Sequence, residues 1–268
     1  MHFPASFCLA DDYMAASIAS ANKSERTRLR ILGLTTALLS EVPFADLAAR
    51  ELAQHAGVAR TLIYHYFTDL AGLATEIAND YQRRSVESIG QLAVTQGHYS
   101  YADIIGYLSW ILAVAMRNRG PMRLMHVHRE QLPKVAEIFG HFLFNLNKSV
   151  GDTVDAPTNI AYGAPERLIT GIIISGGFDS VIRELFVFPN SLLPMIKTTR
   201  ELFELVQVLA IFRHRAVHGR DPTQAETDAV VEAFDLSFFE PSLSAIQSAS
   251  LQLSKAPAPP IRKRMMSP

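Results

Sequence analysis

Residues 46 to 66 hold two apolar-periodic segments with only Ala56, Gly57, Val58 and Ala59 between them. The first is predicted to run from Asp46, an N-cap residue by type, through Leu47, Ala48 and Leu52 to His55, with Gly57 as the left-handed stop. The second occupies Arg60 to Tyr66. Upstream, Leu29, Ile31, Leu32, Leu34, Ala37, Leu38 and Leu39 recur at helical spacing from Arg26 until the pattern ends before Pro43. Three helices of roughly 15, 9 and 7 residues with connections this short can pack only at steep angles, which is helix-turn-helix geometry.

A fourth helix is predicted from Asp69, a cap before Leu70, carrying Leu73, Ile77, Tyr81 and Ile89 on one face. It is long enough to link two domains. Beyond Gly97 the segments Tyr101 to Arg117, Pro121 to Glu130, Pro133 to Val150, Pro165 to Phe188, Thr198 to Val217 and Thr223 to Phe239 are all apolar-periodic, with Gly, Pro or Asn breaks between them. No alternating strand pattern and no internal repeat occurs. The expected fold is all-α: a three-helix domain over residues 23–84, including the start of the linking helix, and a larger helical domain over 85–254. Residues 1–22 lack strong periodicity and read as a flexible arm, with at most a short helix through Met14 to Ala21. The Pro-rich KAPAPPIRKRMMSP at 255–268 reads as a disordered tail.

Composition narrows the function. At 268 residues, 49% hydrophobic and 19% charged, the chain suits a packed globular protein with a buried subunit interface. A net charge of −1 gives no polyanion-binding signature for the whole chain, so any nucleic-acid surface must be local. The single cysteine, Cys8, excludes an internal disulfide and a multi-thiolate metal site. No apolar run approaches the roughly 18 to 20 residues of a membrane span, and MHFPASFCLADDYM lacks the basic start of a signal peptide. A cytoplasmic location is expected. Nucleophile elbow, phosphate loop, dinucleotide fingerprint and His-Glu-x-x-His are all missing, so neither an enzyme nor a cofactor is expected. His214 and His218 share a helix face without a third ligand and read as helix-end capping, so no metal is expected.

Residues 28 to 73 resemble the DNA-binding domain of the TetR family of transcriptional regulators. Arg28, Ile31-Leu32 and Leu38-Leu39 match the first helix of that pattern, and Phe44 matches the aromatic residue before the second. Leu52-Ala53, Ala56-Gly57-Val58, Ile63-Tyr64 and Phe67 match its central stretch, and Leu73 the leucine early in the fourth helix. The resemblance implies double-stranded operator DNA as partner, read in the major groove by the third helix. It assigns Ala59, Arg60, Thr61, Leu62, Tyr64, His65 and Tyr66 to that surface, with Arg50 on the second helix as a further contact. Leu47, Ala48 and Ala49 stand where family members commonly carry threonines, Ala59 where a serine is common and Leu70 where a lysine is common. From residue 23 to 84 eight basic residues face seven acidic ones, so few phosphate contacts and a shallow salt dependence are expected.

The same resemblance implies that the larger domain binds a small-molecule effector and forms a homodimer. A largely apolar pocket is expected among the later helices, lined by Tyr107, Trp110, Met125, Phe142 and Phe178, with Arg117 and His126 as its polar members. Glycines inside a helix are costly unless they permit close approach. Gly171, Ser175 and Gly176, with Phe203 and Val206 on the next helix, are therefore the expected dimer interface. The rival reading is a helical small-molecule-binding or interaction protein whose helix-turn-helix no longer binds DNA.

Overall fold

Leu9 and Tyr13, one helical turn apart, are 0% and 3% exposed, and they seat a helix where the sequence suggested a flexible arm. The computed structural model describes residues 6–93, 100–154, 164–186, 196–244 and 246–247. Within them, helix α1 spans Leu9–Ala19 and packs along α2, Lys23–Leu38. Its third inward position is Ser17, and Ile18 points out at 81% exposure, which is why apolar periodicity did not reveal it.

Polar contacts tie α1 to distant parts of the chain. Tyr13 donates its hydroxyl to Asp80 Oδ2 at 2.6 Å, Arg84 pairs with Asp12, and Ser17 donates to the carbonyl of Arg26 at 3.1 Å. Asn118 accepts the Leu9 N–H at 2.8 Å and donates to the Phe7 carbonyl at 2.9 Å. The expectation of a free arm over 1–22 is therefore corrected for residues 6–22.

Asn22 caps α2 by accepting from Ser24 and Glu25 N–H. A 3₁₀ turn at Phe44–Asp46 leads to α3, Ala49–Ala56, and α4, Arg60–Phe67. Helix α5, Leu70–Ala93, then runs unbroken out of the three-helix unit. Ile77, Ala78 and Tyr81 of α5 are buried, and α5 packs on α7, Arg119–His126, and α8, Pro133–Val154. The remaining helices are α6, Tyr101–Arg117, α9, Ala164–Phe186, α10, Thr199–His218, and α11, Gln224–Ala233. No strand occurs among the described residues, and no helix among them is long and apolar enough to cross a membrane.

Helix starts follow local chemistry. Ser100, Thr198 and Thr223 each form a capping box, with Asp103, Glu201 and Glu226 reaching back. The segment expected as one helix from Thr223 to Phe239 is two: α11 stops at Ala233, and Leu236–Phe239 forms a 3₁₀ turn after Asp235. Phe234 at the break is buried against Phe203, ring centres 4.6 Å apart, and turning it inward ends the helix. The expected tail at 255–268 lies outside the described residues.

The two halves meet where α7 crosses the end of α2. A Cβ added at Gly120 would stand 2.3 Å from the Thr36 carbonyl oxygen and 3.2 Å from Leu39 Cβ. Arg123 donates to the carbonyls of Leu39 and Ser40 at 3.2 and 3.1 Å, closing groups that the end of α2 leaves open. Just beyond, the Phe44 N–H donates to His128 Nε2 at 3.3 Å.

Gly120→Ala is expected to lower the unfolding free energy by about 2 kcal/mol, because backbone rather than a flexible side chain must move. Gly140→Ala on α8, where an added Cβ meets nothing within 4 Å, should instead raise it by up to about 1 kcal/mol. Urea unfolding of the two variants, followed by the fluorescence of Trp110, checks both signs.

Candidate nucleic-acid interface and effector cleft

Ala49, Leu52, Ala53 and Ala56 bury one face of α3, and Ile63 and Phe67 bury the inner face of α4. Gly57 joins the two at φ 61° and ψ 38°, the left-handed conformation that glycine adopts without steric penalty. The predicted cap Asp46 does not open α3. Leu47 turns into the core, leaving the chain extended until Ala48, which is the N-cap and makes no side-chain cap bond. Ala59 stands in the same position before α4, also without a cap bond.

The burial of Ile63 and Phe67 fixes what α4 shows to solvent. Arg60, Thr61, Tyr64 and His65, with Ala59 and Arg50 beside them, are exposed. Arg60 donates from Nη2 to the Tyr64 hydroxyl at 3.1 Å, and its guanidinium lies 5.4 Å from the centre of that ring. The pair is held in one orientation across a single turn. Leu62 and Tyr66 are half-buried. The Tyr66 hydroxyl lies 3.1 Å from Ser24 Oγ at the start of α2, so this side chain braces the helix against the domain.

Arginines around this face are largely committed elsewhere. Arg28 pairs with Glu76 and Glu25, Arg83 with Asp80 and Glu87, and Arg84 with Asp12, while Arg26 donates to the Ser20 carbonyl. The turn out of α4 is tight. Thr68 has φ 63° and ψ −55°, and the Asp69 N–H reaches the Phe67 carbonyl at 2.6 Å, a γ-turn. Asp69 then caps α5 by accepting the Gly72 N–H at 2.6 Å, and a Cβ at Gly72 would lie 2.3 Å from the Phe67 oxygen. The angle between α4 and α5 is set by this contact.

Two short helices about a left-handed glycine, the second presenting a polar outer face, define a helix-turn-helix DNA-binding domain. Residues 31–77 match the family model described as bacterial regulatory proteins, tetR family. The matched residues are those of a TetR-type helix-turn-helix DNA-binding domain at the N-terminal end of the described residues. No curated protein matches it significantly.

C-terminal to the matched residues, four helices enclose a cleft of about 400 Å³. Its described walls are Tyr107, Leu108 and Ile111 on α6, Leu146 on α8, Ile173, Ile174, Ser175, Gly177 and Phe178 on α9, and Leu209, Phe212, Arg213 and Ala216 on α10. Two of the predicted lining residues, Tyr107 and Phe178, stand there. Trp110 and Met125, each 1% exposed, are packed into the core instead, and Phe142 lies half-buried against that core without lining the cleft. Arg117 follows Ile111 by six positions, about 240° round α6, and points away. It donates to the Ser6 carbonyl at 2.8 Å and faces Asp11 at 3.8 Å. Among the described residues the cation in the cleft wall is Arg213, which periodicity on α10 would have flagged beside Leu209, Phe212 and Ala216.

His126, its side chain 3% exposed, sits 3.5 Å from Asp179 and edge-on to Phe139. The expected interface residues divide. Gly176 is exposed with open space above it, whereas Gly171 and Ser175 are buried, the serine hydroxyl bonding Asn147 and the Gly171 carbonyl. Phe203 and Val206, 1% and 0% exposed, lie in the core of the chain and offer no surface to a second copy. The apolar side chains that do face outward are Ile169, Ile172 and Ile173 on α9 and Val208 and Phe212 on α10, all between 47% and 69% exposed. His214 Nδ1 lies 3.0 Å from the Arg220 carbonyl, beyond the end of α10.

Burial, with Arg129 and Arg183 nearby, holds the His126 imidazole down to about 4, and burial pushes the Asp179 carboxyl up. Both groups are thus driven toward their neutral forms, and at neutral pH the uncharged imidazole makes no ion pair with Asp179. As pH falls through about 6.5 the unfolded chain protonates this histidine while the folded chain does not, so folding loses stability below that value and gains nothing above it. Between pH 7 and pH 5 the wild type is expected to lose about 2 kcal/mol more than His126→Gln. Urea unfolding at the two pH values measures the difference.

Proposed function

We propose that the chain is a homodimeric repressor that binds a palindromic operator and leaves it when a largely apolar small molecule occupies the cleft. The observation that carries this reading is the exposed face of α4, where Arg60, Thr61, Tyr64 and His65 project from a helix clamped underneath by Ile63 and Phe67. A helix of this size enters the major groove. There Arg60 pairs with a guanine edge, Thr61 meets a base or phosphate, and Tyr64 and His65 reach the backbone. The first-turn N–H groups of α3 and α4, lacking side-chain caps, are suited to phosphate oxygens.

Dimerisation follows from the apolar strip on α9 and α10. Exposed Ile172, Ile173, Val208 and Phe212 gain by burial against a second copy, and Gly176 admits close helix approach. Two copies of α4 would then meet successive major grooves about 34 to 36 Å apart. A route from cleft to DNA runs through α5 and through α7, whose Gly120, Arg123 and neighbouring His128 grip α2 and Phe44. Release requires the effector to prefer the conformation that does not fit DNA, since equal affinity for both would shift nothing. A second reading, a DNA-incompetent interaction protein, draws on one observation: alanines occupy both helix-turn-helix cap positions.

Purified protein is expected to shift DNA from its own upstream region at low salt, and Arg60→Ala to weaken that complex by at least about tenfold. Arg50→Ala should reduce the slope of log K against log salt by about 2, one unit for each protomer. No sequence-specific shift by the wild type would favour the second reading. Phe212→Glu is expected to yield monomers by sedimentation equilibrium, and an unchanged dimer mass would remove α10 from the interface.

A further inference from the structure

Ile173 on α9 and Phe212 on α10 both line the cleft, yet they are 69% and 64% exposed. Ala216, one turn further along α10, also lines it and is exposed. Side chains that border a cavity and solvent at once stand at its mouth, so the cleft opens onto the apolar strip of α9 and α10. The described exposed residues of α9 from Ile169 to Ser180 are those two with Ile172, Ile173, Gly176 and Gly177, none of them charged. An added Cβ on either glycine meets nothing within 4 Å. Along α10 the exposed positions at four-residue spacing are Glu204, Val208, Phe212 and Ala216, with Arg215 beside the last. An antiparallel copy turned about a two-fold axis between Val208 and Phe212 sets Val208 against the partner subunit's Phe212 and Glu204 toward the partner subunit's Arg215. The ion pairs these two charges make within the chain, with Arg200 and Asp221, are exposed and weak, so they do not oppose that pairing.

We propose that the second copy seals this mouth, so that an apolar ligand is fully enclosed only in the dimer and its binding strengthens the pairing of protomers. The proposal rests on the cleft and the dimer of the proposed function and adds their coupling. Small-molecule sites bury most of their ligand's surface, and a cleft open along one side leaves part of an apolar ligand in water. Covering Ile173 and Phe212 with a second copy removes that exposure, and a ligand beneath them in turn adds apolar surface for the copy to cover. Whatever binds the dimer in preference to the monomer draws the equilibrium toward the dimer by mass action. A ligand at this joint touches both protomers and so acts on the angle between them, which sets the spacing of the two α4 helices.

Isothermal titration with octanol and sedimentation equilibrium of the full chain test the coupling. Ile172→Glu and Val208→Glu each place a charge on the strip at a position outside the cleft wall. Each is expected to give a monomer with wild-type helix content by circular dichroism and at least about tenfold weaker octanol binding. In the wild type, octanol at about ten times its dissociation constant should lower the dimer dissociation constant about a hundredfold, a factor of about ten for each of two sites. Monomeric variants that bind octanol as tightly as the wild type, or a dimer constant that octanol does not move, overturn the proposal while the effector reading stands. Variants that remain dimeric overturn it and remove the strip from the interface, leaving the cleft as it was. If the wild-type dimer takes no octanol, the coupling and the effector reading both fail. Coupled binding that leaves the operator complex intact upholds the proposal and overturns the effector reading.

Discussion

The backbone of α7 lies directly on the last turn of α2 because Gly120 places no side chain between them, and the rest of the arrangement depends on that approach. With the helices this close, Arg123 reaches the terminal carbonyls of α2, and His128 receives the Phe44 N–H. Interfaces packed to this density are bistable rather than continuously deformable, so a shift of α7 is transmitted to α2 or breaks the contact. Helix α1 adds a second tie. It bonds Asn118 at the α6–α7 junction and Asp80 on α5, so both linking elements are held by one N-terminal helix.

On the DNA side, the constraint is burial in a helix of only eight residues. Ile63 and Phe67 use the inner face completely, and the γ-turn at Thr68 with the Gly72 contact fixes the exit toward α5. Orientation of the outer face is therefore a consequence of packing. Because the flanking arginines are held in ion pairs, a local surface centred on Arg60 and Arg50 carries the reading of DNA in the proposed mechanism. A neutral chain can take that role without a broad basic patch.

The helix-turn-helix was legible because its determinants are local: Gly57, the spacing of Leu52, Ala56, Ile63 and Phe67, and the short connection all lie within a few turns of each other. Helix α1 was not, because its stability comes from Asp80 and Asn118, far along the chain, and from a buried serine that breaks the apolar pattern. In α10 apolar residues occur on several faces, and periodicity alone does not separate core-facing Phe203 and Val206 from outward-facing Val208 and Phe212. The cation of the cleft was sought at Arg117, at a helix end, when Arg213 within α10 carries it; the difference is one of helix phase, set by which neighbours each helix packs against.

Hydroxyl-radical footprinting of the purified protein on its own upstream DNA tests the central claim most directly. The account predicts two protected half-sites related by a dyad, about 10 base pairs apart centre to centre, and their loss with Arg60→Ala. Uniform protection along the fragment, or a footprint unaltered by that substitution, would contradict it.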